Sequence, residues 1–236
     1  NTTASNNTAV GYQALYDSTT GDRNTCMGNY AGSQITTGVS NVCVGYLSGD
    51  HSTDLTTGGG NVLVGAYTRT YASSENDANV FGYDVGGDGG YTTIGNQTND
   101  IRASHGSTTW STVSDERYKK DITDSTVGLS FVNTLRPRTF NYKNKGELPD
   151  TFVAYEENST EVFKSNKTQH GFIAQEVKAA IDADSGVKNG FNLWDERDDG
   201  SQEVAETALI PMLVKAIQEL SAKNDALEAR IVTLES

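Results

Sequence analysis

The chain has 236 residues, of which 35% are hydrophobic, with 24 Gly against 3 Pro and a formal net charge of −13. An acidic protein of this kind lacks the basic patches that nucleic acid or an anionic membrane requires, and no apolar run approaches the ~20 residues that span a bilayer. Low apolar content with abundant Gly suits a thin, repetitive β structure better than one large core.

Asn1 carries no signal peptide and lies inside a repeat, which reads as the end of something longer. The repeat unit recurs at Asn7-Thr8-Ala9-Val10-Gly11-Tyr12, Asn24-Thr25-Cys26-Met27-Gly28-Asn29, Asn41-Val42-Cys43-Val44-Gly45-Tyr46 and Asn61-Val62-Leu63-Val64-Gly65-Ala66. Weaker copies start at Asn79 and Thr92, and the four strong glycines are spaced by 17, 17 and 20 residues. Thr19-Thr20-Gly21, Thr36-Thr37-Gly38 and Thr56-Thr57-Gly58 precede three of the asparagines. Each unit reads as a short strand, a Gly bend, a small-residue segment and a turn. A fixed period means stacked rungs, a β-roll or β-solenoid, in which one rung cannot bury its apolar residues alone.

Ala9, Cys26, Cys43 and Leu63 share one position and should stack on one face. The two cysteines then read as small buried residues, although ~4.8 Å between rungs leaves a disulfide geometrically open. The repeated Asn suggests a side-chain ladder or turn bonds. His51, His105, Asp50, Asp54, Asp84 and Asp88 show no metal-ligand spacing and read as solvated turn residues; no cofactor or metal is expected. This stretch resembles the head repeats of trimeric bacterial adhesins and the distal repeats of bacteriophage tail fibres, the Thr-Thr-Gly turn favouring the latter.

At Ser114-Asp115-Glu116-Arg117-Tyr118-Lys119 the character changes to charged, helix-patterned sequence. A serine hydroxyl attacks only when a base takes its proton, and a lysine serves only if desolvation lowers its pKa. The plain alternative is a Ser114 helix N-cap, with Asp115 and Arg117 in a local ion pair and Tyr118 in packing. Residues five apart do not face each other on a helix, so Lys119 must reach Ser114 through a turn or from another chain. Lys120 is the competing lysine.

Further on, Val127, Leu129, Phe131, Val132 and Leu135 form a short apolar face ended by Pro137. Phe172, Ile173, Val177, Ala180 and Ile181 form a helical stripe. His170 reads as structural, and Asp195 to Asp199 as a solvated acidic insertion. At the C-terminus Ile210, Ile217, Asn224 and Ile231 fall at one heptad position and Leu213, Leu220, Leu227 and Leu234 at the other. That is a coiled-coil pattern, with Pro211 in the first turn. Ile and Leu in these seams lean toward two strands.

Four motifs in order, Ser114–Ile122, Leu135–Tyr142, His170–Val177 and Leu209–Ala216, resemble the intramolecular chaperone of phage tail spikes and fibres, the S74 self-cleaving peptidase family. The resemblance implies Ser114 as nucleophile, Lys119 as base and Val113–Ser114 as the cleaved bond. It also implies a homotrimer, against the local dimer rule. The expected fold is mixed: a repetitive β fibre tip over 1–100, a linker over 101–113, an α+β chaperone domain over 114–208 and a coiled coil over 209–236. The implied setting is a virion tail fibre assembled in the host bacterial cytoplasm. Two alternatives stand beside it. One is a structural adhesin that trimerises without cutting; the other is a receptor-binding module in which Tyr12, Tyr46 and Tyr83 contact a host cell-surface glycan.

Overall fold

The computed structural model describes residues 3–187 and 192–235 and divides into two compact units, 1–120 and 121–236. Among the described residues no helix is long and apolar enough to cross a membrane.

The first unit is a β-solenoid. Thr8–Val10, Thr25–Met27, Val42–Val44, Val62–Val64, Asn79–Tyr83 and Tyr91–Asn96 pair in parallel, each with the next. Ala9, Cys26, Cys43, Leu63 and Val80 lie opposite one another in that register, as the repeat requires. Alternation in a strand then sends Cys26, Cys43, Leu63 and Val80 into the core, joined by Leu15, Ala31, Ile35 and Leu55 from the facing segments. Full burial of a side chain such as Leu63 or Ile35 contributes about 1.5–3 kcal/mol. The neighbouring column, Val10, Met27, Val44, Val64, Phe81 and Ile94, faces out and forms an apolar stripe along the stack.

Two devices hold the rungs in register. The repeated asparagines form a ladder: Asn7, Asn24, Asn41 and Asn61 each accept, through Oδ1, the backbone N–H of Asn24, Asn41, Asn61 and Ala78 at 2.7–3.1 Å. Each Nδ2 donates to a carbonyl at the turn before the next rung: Gly21, Gly38, Gly58 and Glu75, at 2.7–2.9 Å. Asn24, Asn41 and Asn61 are fully buried, and burial is tolerable because these bonds satisfy them. The Gly column is the second device. Gly45 has φ +131° and its Cα faces the Gly65 carbonyl so closely that a Cβ would collide with it.

The longer unit absorbs its extra residues in a small hairpin pairing Asp50–His51 with Thr53–Asp54. After Tyr91–Asn96 the chain turns at Gln97, φ +56°, and returns antiparallel as Asn99–Ser104. Ser111 then bridges back to Arg102. The segment read as a linker, 101–113, is therefore paired to the end of the stack at both Asn99–Ser104 and Ser111.

In the second unit α1 (Leu129–Val132) and α2 (Ala174–Ala183) bring Phe131, Val177 and Ile181 into a core with Val187, Leu193, Leu209 and Met212. Two antiparallel pairs, Arg138–Phe140 with Gln169–Gly171 and Trp194–Glu196 with Gln202–Val204, complete it. Glu176, in the first turn of α2, binds Arg138 and, at 3.4 Å, Arg136. The Arg138 guanidinium holds the Glu176 carboxyl below its usual range. His170 is exposed on its strand opposite Thr139. The acidic stretch is the tip of a hairpin, where Asp199 accepts from the Ser201 N–H at 2.9 Å and the Val153 N–H at 3.1 Å.

The C-terminal helix α3 runs Ile210–Glu235, with Pro211 in its first turn as expected. Met212 and Ala216 anchor its base, and Glu219 Oε2 accepts the Leu129 N–H at 2.9 Å, capping α1. From Leu220 to Glu235 every residue is exposed, the heptad positions included.

Candidate functional site

The residues singled out at the change of character lie in the first unit. Asp115, in extended conformation, caps a one-turn 3-10 helix, Glu116–Tyr118, by accepting the Arg117 N–H at 2.8 Å. The Arg117 guanidinium clasps the same carboxylate through Nε at 2.9 Å and Nη2 at 2.7 Å. These bonds hold the Asp115 carboxyl below its usual range. The cap is thus Asp115, not Ser114 as the plain reading had it, and the Ser114 hydroxyl is left to other work.

The Lys119 N–H donates to the Glu116 carbonyl at 2.9 Å, closing the turn. A 3-10 turn is tighter than an α-turn, and with extended residues at both ends it folds Lys119 back on Ser114. Lys119 Nζ lies 2.7 Å from Ser114 Oγ. That bond comes from Lys119 and not from Lys120. The five-residue spacing that a helix forbids is met by a turn.

The bond as placed has the lysine donating. With the proton moved, the same contact would let Lys119 accept from the hydroxyl, and an attack by that oxygen on the Val113 carbonyl carbon would close a five-membered ring. Both side chains are exposed. A lysine becomes a base by losing water around its ammonium, and here the contact lies at an exposed site. Val113 is exposed too, and Tyr118 is 80% exposed rather than packed.

The other candidates have structural roles. Cys26 and Cys43 are free thiols in adjacent rungs, and the Cys26 thiol together with burial pushes the Cys43 thiol well up. Asp84 pairs with Arg69 at 2.6 Å and lies 3.7 Å from His51 Nε2; Asp88 pairs with Arg102 at 2.5 Å. Asp50 departs from the expected solvated turn: it accepts from Ser33 Oγ at 2.5 Å, and burial lifts its carboxyl to about 6. Ser33 holds the equivalent place 17 residues earlier, so the repeat sets the two residues side by side, while the burial that lifts the carboxyl is not given by spacing. His105 Nε2 contacts Asn79 Nδ2 at 3.1 Å. Among the described residues no group of His, Cys, Asp and Glu is placed to hold a metal ion.

No curated protein and no solved structure matches the chain. Residues 114–185, starting at Ser114, match the family model Peptidase_S74, described as the chaperone of endosialidase.

Proposed function

We propose that this chain is the tip of a phage tail fibre or spike whose C-terminal part drives trimerisation and folding and then cuts itself off between Val113 and Ser114. The observation that carries the reading is the 2.7 Å Ser114–Lys119 contact at the first residue of the matched segment. Ser114 Oγ attacks the Val113 carbonyl while Lys119 takes the hydroxyl proton. The C–N bond breaks, the Ser114 nitrogen leaves as an amine carrying that proton, and the Val113 acyl group becomes an ester on Ser114. Water then hydrolyses the ester, releasing a carboxyl at Val113 and restoring the serine.

Assembly supplies what the single chain lacks. Rungs stacked along a fibre must start in register, and ordering them costs entropy before burial repays it. The exposed heptad face of α3 offers a place to begin, and three copies would cover it. The apolar stripe of the solenoid is a second face for the same copies. Closing the trimer over Ser114 and Lys119 would desolvate the lysine, so cutting waits on assembly. Loss of the clamp afterwards leaves the fibre kinetically trapped. The setting of this reading is a virion, with assembly in the host bacterial cytoplasm.

Denaturing gels with intact mass on wild type, Ser114→Ala, Lys119→Ala and Lys120→Ala test it. A wild-type break after Val113, absent in the first two variants and kept in the third, is expected. An uncut wild type would leave a trimerisation clamp that stays attached, the adhesin alternative. The receptor reading has its own support in edge-to-face tyrosine contacts along the stack, Tyr12–Tyr30, Tyr46–Tyr67 and Tyr67–Tyr83 at 5.2–5.7 Å. A glycan array on the cleaved fibre that shows no binding would remove it.

A further inference from the structure

The dyad turn provides a nucleophile and a base but does not by itself present the bond that precedes Ser114. The residues just upstream are held by the last hairpin of the solenoid. Ser111 and Arg102 exchange both backbone bonds, each N–H to the other's carbonyl at 2.8 Å. Thr112 Oγ donates to the Asp100 carbonyl at 3.1 Å. Val113 lines a cleft of about 690 Å³ with Ile94, Ile101, Tyr71 and Tyr118. Ile94 and Ile101 are cross-strand partners in that hairpin, and both are otherwise exposed.

We propose that the hairpin Tyr91–Ser104 is the platform that presents the Val113–Ser114 peptide to the dyad, with Thr112 and Ile101 as positioning residues. The inference rests on the cleavage reading above. A serine attacking the carbonyl of its own preceding peptide needs that peptide at one orientation, and a free chain samples many. Fixing the orientation in advance is worth a large part of the barrier in intramolecular reactions. Here Ser111 and Thr112 are tacked to Asn99–Ser104, Val113 shares a cleft with the two isoleucines, and the Asp115 cap fixes the other side. The bond becomes competent only once the last parallel rung and its return strand have formed. Cutting therefore reports that the stack is complete at this end. A nucleophile coupled to the solenoid in this way belongs in the solenoid's own compact unit, which is where Ser114 and Lys119 lie.

The test follows the first-order appearance of cut product in the full chain on denaturing gels. Thr112→Val removes the hydroxyl and keeps the shape; Ile101→Ala opens the cleft; Ile101→Ala with Val113→Leu refills it. Each single variant is expected to slow cutting about tenfold with native-gel assembly and urea midpoint unchanged, and the double variant to recover to within about threefold of wild type. Wild-type rates in both single variants, or slowing without rescue by Val113→Leu, would overturn the platform. Amide exchange on the uncuttable Ser114→Ala chain gives an arm independent of chemistry. Protection of the Ser111 and Arg102 N–H groups that disappears in Ile101→Ala supports the platform, and absence of protection in the parent overturns it. An uncut wild type with that protection intact would sink the cleavage reading and spare the placement.

Discussion

Replacing Asn41 by Ala removes the central link of the asparagine ladder. Asn41 Nδ2 donates to the Gly58 carbonyl at 2.9 Å and to Asn24 Oδ1 at 3.1 Å; its Oδ1 accepts the Asn61 N–H at 3.1 Å and Asn61 Nδ2 at 2.9 Å. Alanine leaves the Gly58 carbonyl and the Asn61 backbone N–H without these partners in a site that water does not reach. At about 1–3 kcal/mol for each orphaned group, the expected loss is about 4 kcal/mol, roughly a thousandfold in the unfolding equilibrium. Asn76→Ala is the matched control. Its Oδ1 accepts the Gly59 N–H at 2.8 Å across the same 17 residues, but at an exposed site where water substitutes. That variant should lose less than about 1 kcal/mol. Urea unfolding followed by β-sheet circular dichroism, at one protein concentration because self-association would shift the midpoint, compares them. If the two variants fall within about 1 kcal/mol of each other, the argument that burial sets the value of the ladder is wrong.

Other outcomes follow from the same geometry. Gly45→Ala forces a side chain into the Gly65 carbonyl at φ +131°, and should cost more than the ~1–3 kcal/mol of backbone strain alone; a melting temperature equal to wild type would refute the close approach. Burial raises the Asp50 carboxyl from 3.8 to about 6, against the opposing Ser33 bond and with Asp54 and Asp17 adding to it. The fold then holds this proton more tightly than the unfolded chain, so the stabilisation is complete below the ordinary value and fades as pH rises through about 6. Asp50→Asn should flatten that part of the melting profile relative to wild type, and parallel profiles would refute it. Cys26 and Cys43 should resist a thiol reagent in the native protein and react together in urea, since both are fully buried and the Cys43 thiolate is disfavoured. Leu220→Ser with Leu227→Ser should abolish self-association in light scattering while leaving the second unit's core of Phe131, Val177 and Met212 folded. Survival of the oligomer would move the assembly face elsewhere.

The parts of the molecule that repeat were legible because each is stated several times. The stacking of Ala9, Cys26, Cys43 and Leu63 follows from spacing alone, and so does the ladder, since Asn at a fixed period has only its neighbours to bond. The Ser114–Lys119 pair came through resemblance; its route, a 3-10 turn capped by Asp115, depends on a competition between two adjacent cap residues that sequence does not decide. The Asp50–Ser33 contact keeps the 17-residue period, but its effect on the carboxyl comes from burial, which spacing does not give. Features made by a single long-range meeting left no period to read. The return strand Asn99–Ser104 is one: its alternation is weak, and what holds it is pairing with Tyr91–Asn96. The second unit is assembled from short elements whose neighbours are set by contacts such as Glu219 on Leu129, across 90 residues.

The rung spacing also sets how the solenoid bears load. Seventeen residues of chain are coiled into one step of the stack, and that step is only ~4.8 Å high, whereas the same residues drawn straight would reach roughly 58 Å. Each rung pulled free would thus pay out roughly 50 Å of slack. Before it does, the ladder bonds that hold that rung must give way together, because Asn7, Asn24, Asn41 and Asn61 each grip both a turn and the next strand. A stack built this way is stiff under small forces and lengthens in discrete steps under large ones, one rung at a time.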